Sequence, residues 1–75
     1  MAARFGTIKE VKSKAKQCLE QGAIQTGSIE AGIIAFYLVP EKHGVKKKTR
    51  ILSCAKMGRG NWSFLYNNDF WKDLD

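Results

Sequence analysis

Two rhythms of apolar positions divide the chain. Ile8, Val11, Ala15, Cys18 and Leu19 recur three or four residues apart, the spacing of one stripe on a helix. Thr7 stands where an N-cap belongs, with Glu10 three residues on in the pattern of a capping box, and Gly22 supplies a stop. A helix is therefore expected over Thr7 to Gly22, with Phe5 packing back onto it as a staple. Lys9, Lys12 and Lys16 flank the stripe. Their stems would cover the core edge while their charges stay in water.

Past Gly22 the period shortens to two. Ala23 to Thr26 reads as a short strand, turned by "TGS". Ile29 to Val39, "IEAGIIAFYLV", is dominated by β-branched and aromatic residues. Both parities are apolar beyond Gly32, as in a central strand covered on both faces. A helix capped by Ser28 and ending before Pro40 is the competing assignment, which Gly32 and the crowd of Ile, Phe, Tyr and Val disfavour. Pro40 to Gly44 is a turn by composition, and Val45 to Met57 returns as a strand. After "MGRGN", Asn61 to Tyr66 alternates, with Trp62, Phe64 and Tyr66 on one face. Asn67 or Asn68 can cap a short terminal helix through Leu74, with Phe70, Trp71 and Leu74 as its apolar edge.

The expected fold class is α+β in one domain, residues 1–75. It has an N-terminal helix, a small antiparallel β-meander of three strands (four if Ala23 to Thr26 joins) and a short C-terminal helix. In topology alone this order resembles double-stranded-RNA-binding domains and small toxin-type RNA-binding folds. The second helix is shorter than theirs and no basic motif opens it, so no family is identified.

Composition adds an electrostatic bias. Among 75 residues, 13 Lys and Arg oppose 7 Asp and Glu, a net charge of +6. Such a charge draws a protein toward nucleic acid or acidic partners. A chain this short buries only about 60% of its unfolded surface, so most large apolar residues are needed in the core. The two cysteines, Cys18 and Cys54, make no disulfide framework and no zinc spacing. They read as reduced and cytoplasmic, although a bridge between them stays open. No signal peptide is visible. The longest apolar run, Ile33 to Val39, is seven residues, too short to span a bilayer as a helix; no membrane partner is expected.

The charge concentrates. From Lys42 through Asn68 there is no acid. Strict alternation would put Lys46, Lys48, Arg50 and Lys56 on one face of the return strand, with Leu52 and Cys54 between them. Lys47, Thr49, Ile51, Ser53, Ala55 and Met57 would take the other, with its later members toward the core. Arg59 lies in a glycine-flanked turn. Positive groups at such spacing suit phosphates, and they equally suit an edge protected against strand pairing. Trp62, at the start of the last strand beside Arg59, is the aromatic placed to stack a base. The candidate nucleic-acid-binding residues are thus Lys46, Lys47, Lys48, Arg50, Lys56, Arg59 and Trp62.

Catalysis has little support. His43 is the only histidine and sits in a turn; Cys54 is reactive only if exposed. Asp69, Asp73 and Asp75 have no partner ligands nearby in sequence. No nucleotide loop or nucleophile motif occurs. No catalytic residue, metal or cofactor is expected. The favoured function is a small non-catalytic nucleic-acid-binding module, for RNA or DNA. The alternative is a protein-interaction module, an inhibitor or accessory subunit docking on an acidic or nucleic-acid-binding partner, with a self-complementary edge giving a homodimer.

Overall fold

The computed structural model describes residues 2–67 and 71. In chain order the elements are β1 (Ala2–Gly6), α1 (Ile8–Glu20), β2 (Ile24–Ser28), β3 (Ile33–Leu38), α2 (Pro40–His43), β4 (Thr49–Gly58) and β5 (Asn61–Tyr66). The strands form one antiparallel five-stranded sheet in the order β1-β5-β4-β3-β2. The class is α+β, as the patterning implies, but the sheet has five strands where three or four were expected.

The additional strand is β1. Its sequence, AARFG, has no alternation of its own, and its conformation comes from pairing along β5, Arg4 opposite Phe64 and Gly6 opposite Trp62. β2 to β5 run as a meander, and β1 closes the far edge beside β5. The pairings make β1 and β2 parallel, with three strands between them. α1 therefore crosses the whole sheet between its two outer strands. Because Gly6 lies at the Lys56 level and Ile24 at the Arg50 level, the helix also returns along the strands as it crosses, and its 13 residues span about 20 Å of that diagonal.

Thr7 is the N-cap of α1, as expected, but its side chain makes no capping hydrogen bond. Glu10 turns instead to Arg4, whose guanidinium Nη2 donates to Glu10 Oε2 at 2.7 Å. Phe5 is no staple. It belongs to β1 and is 71% exposed.

The core lies between α1 and one face of the sheet. Val11, Ala15 and Cys18 meet Ile34, Phe36, Leu52, Cys54, Trp62, Phe64 and Tyr66. Cα partners across an antiparallel ladder share a face, and the register confirms this set: Ile34–Cys54–Phe64 and Phe36–Leu52–Tyr66 form two buried rows. Among the described residues, no charged side chain is buried, and Tyr66 carries its hydroxyl into the core.

A β-bulge in β4 decides which residues face out. Phe36 pairs with Leu52 but Tyr37 pairs with Arg50, which leaves Ile51 as the extra residue. An inserted residue reverses the alternation on one side of it. Ile51 and Leu52 are consequently both buried. Ile51 lies off the regular ladder, and its carbonyl accepts the Asn67 N–H at 3.1 Å and the Trp71 indole N–H at 2.6 Å.

The remaining turns differ in detail from expectation. Residues 29–32 form a turn, so β3 begins at Ile33. "PEKH" is a single helical turn closed by Gly44 in the left-handed region. β4 starts at Thr49, which leaves Lys46–Lys48 in the preceding loop. The expected terminal helix falls on residues 68–74, outside the described residues except for Trp71. That residue is helical and buried, its N–H donating to the Asn67 carbonyl at 3.1 Å.

Candidate nucleic-acid interface

The structure separates the seven candidate residues into three places. Lys46, Lys47 and Lys48 are exposed in the loop before β4, and Arg50 is exposed just inside it. This basic arm lies at the edge of the sheet face that α1 does not cover. Lys56 and Arg59 lie at the opposite end of β4. Lys56 is six positions beyond Arg50, about 20 Å of strand.

The single cationic face expected for β4 does not exist. The bulge at Ile51 turns Arg50 to the open face, alongside Tyr37. Beyond it, Leu52 and Cys54 face the core, while Ser53 and Ala55 face out. Lys56 pairs with Trp62 on the core side, at the rim. Met57, expected toward the core, is 63% exposed, at a second register shift next to Gly58.

Trp62 is 2% exposed and part of the core. Its ring is packed between sheet and helix and presents no free face to a base. A 75-residue chain needs such a ring inside.

The open face carries residues that the sequence pattern did not single out. One row across the sheet runs Phe5, Ser63, Ala55, Ile33 and Ser28; the next holds Leu65, Ser53, Ala35 and Thr26; a third holds Arg50, Tyr37 and Ile24. None of these residues is acidic. Small side chains fill the centre, and larger apolar ones stand at the margins. Phe5 and Ile33 are the most exposed of the face's large apolar residues, Ile33 at 56%. Lys48 places its Nζ 4.4 Å from the centroid of the Tyr37 ring, within cation–π range. β3 was expected to be covered on both faces; only Ile34 and Phe36 are covered by the helix layer, and Ile33 and Tyr37 look outward. The signal that could have shown this is the lack of a second helical pattern long enough to cover that side.

Other groups are structural. His43 Nδ1 lies 2.9 Å from the Val39 N–H, which can only donate. Nδ1 is therefore the acceptor, and the Nε2–H donates to the Gly22 carbonyl at 3.1 Å. The histidine ties α2 to the turn after α1. Cys18 and Cys54 are free and buried. Burial pushes both thiols up to about 12; for Cys18, Cys54 adds to the rise and Lys14 opposes it. Neither is a nucleophile in this environment. Lys9, Lys12 and Lys16 are exposed on α1, on the opposite layer, and do not extend the open face. No group of three or more His, Cys, Asp or Glu among the described residues is arranged to hold a metal. No helix among them is long and apolar enough to cross a membrane.

Compared with known protein families, curated proteins and solved structures, the chain matches none.

Proposed function

We propose that the protein is a small non-catalytic nucleic-acid-binding module that holds phosphates with Lys46, Lys47, Lys48 and Arg50. The observation that supports this most is the placement of these four exposed cations at one end of β4, contiguous with a sheet face whose described strand residues include no acid. Phosphate neutralisation by Lys and Arg supplies most sequence-independent affinity. Lys56 and Arg59 form a separate group at the far end, suited to a second phosphate contact on a longer ligand.

If about four phosphates are neutralised, log affinity falls against log salt with a slope of about −3 to −4. Fluorescence anisotropy with a labelled oligonucleotide, between about 50 and 200 mM salt, measures this. The triple variant Lys46→Glu, Lys48→Glu, Arg50→Glu should abolish binding while its circular dichroism stays native, because all three side chains are exposed. Binding that persists in that variant, or that ignores salt, refutes the proposal.

A second reading is favoured by Ile33 and Met57, apolar and more than half exposed. It is a protein-interaction module, docking on an acidic or nucleic-acid-binding partner. One stoichiometric protein retained through nuclease treatment in a pull-down would support it over the first.

A further inference from the structure

We infer that the open sheet face binds unpaired bases, with Phe5 and Tyr37 as stacking platforms at opposite corners, so that the ligand is single-stranded rather than duplex. This rests on the reading of the Lys46–Arg50 arm as a phosphate anchor and names the ligand class for it. Phe5 and Tyr37 stand three strands apart across the sheet and four residues apart along β3. At normal strand spacing and rise their Cα positions are about 19 Å from one another. Between them the floor is low, built from Ser63, Ala55, Ser53 and Ala35.

Three observations select the occupant. A duplex hides the flat faces of its bases and presents phosphates outward, so exposed aromatic rings such as Phe5 have no base face to stack on. A single strand exposes π-faces that stack on aromatic rings beside cations. The cations are in place at one corner only, where Lys48 lies over one face of the half-buried Tyr37 ring and Arg50 shares its row; a strand would enter there, with Lys48 swinging off the ring to a phosphate as a base takes its place, and run toward Phe5. Phe5 is 71% exposed, so its ring adds little to the core and is available to a ligand. A second copy of the chain is disfavoured on charge: it brings another +6, and none of the described strand residues of its open face is acidic.

The test compares a labelled single strand of about 12 nucleotides with the duplex of the same sequence, by anisotropy at matched salt, on the full chain. The single strand should bind at least about tenfold more tightly. Phe5→Leu and Tyr37→Leu keep apolar bulk and remove the ring. Each should weaken single-strand binding about fivefold or more while leaving the salt slope unchanged. Phe5→Trp keeps a ring and should retain binding; loss in both Phe5→Leu and Phe5→Trp overturns stacking at that corner. Equal affinity for both probes with neutral Leu variants overturns this inference and leaves the phosphate-anchor reading standing. No binding of either probe overturns both. A dimer in light scattering that Phe5→Ser dissociates overturns the inference by assigning the face to a second copy.

Discussion

Trp71 clamps its ring between the core and the Ile51 bulge, and its removal gives a graded test of that role. Its ring is 1% exposed, stands edge-on to Tyr66 at a centroid distance of 5.5 Å, and has Lys14 Nζ 4.8 Å above it. Its indole N–H donates to the Ile51 carbonyl at the bulge. Trp71→Phe deletes that hydrogen bond, worth about 1 kcal/mol net. The carbonyl keeps the Asn67 N–H, so no unpaired acceptor is left behind. The smaller ring leaves a void of roughly 40 Å3, which at about 24 cal/mol per Å3 adds about 1 kcal/mol. The expected loss is about 2 kcal/mol, or roughly 8 to 16 °C in Tm for a domain of this size. Trp71→Ala should cost about 3 to 5 kcal/mol. That is a large share of the roughly 4 to 11 kcal/mol that 75 residues ordinarily hold. Urea denaturation followed by far-ultraviolet circular dichroism measures both. A Phe variant within about 0.5 kcal/mol of the parent, inside the range of ordinary surface changes, would refute the clamp.

Three further outcomes follow from the backbone and the buried thiols. Gly27 has φ +75°, and a methyl there would overlap the Ile33 carbonyl oxygen; Gly27→Ala should cost about 2 to 4 kcal/mol in urea denaturation. Gly58 has open space and no positive φ, so Gly58→Ala should fall between neutral and about 1 kcal/mol stabilising. Cys18 and Cys54 keep their protons in the folded chain to about pH 12, against 9.0 unfolded. Below pH 9 both states hold those protons and the thiols contribute no pH dependence. Between about 9 and 12 only the unfolded chain releases them, so stability falls as pH rises, by at most about 1.4 kcal/mol per unit for each thiol. Urea midpoints of the parent and of Cys18→Ala and Cys54→Ala, followed from pH 8 to 11, should show a shallower fall in the variants. Parallel profiles would count against burial as the cause.

The elements with a strong internal period are legible in the sequence. α1 needs only Val11, Ala15 and Cys18 on one stripe, and β5 only the alternation of Trp62, Phe64 and Tyr66; both are helix or strand where expected, with those residues buried. The α+β class and the basic run from Lys46 to Arg59 are likewise properties of residue order alone. β1 is not legible, because AARFG carries no pattern and is made a strand by the ladder β5 offers it. Nor is the face assignment of β4. One extra residue at Ile51 reverses a period-two pattern, and a bulge is set by how two strands meet rather than by either one. That insertion splits the expected cationic face, sends Arg50 to Tyr37 and leaves Lys56 at the other rim. Burial is decided at the same level. Trp62 and Phe5 are both aromatic residues at strand ends, yet α1 covers only one face of the sheet, so Trp62 lies in the core and Phe5 stands in water. Local periodicity sets which segments are helix or strand, while pairing register and the side on which the helix packs determine which side chains a partner can reach.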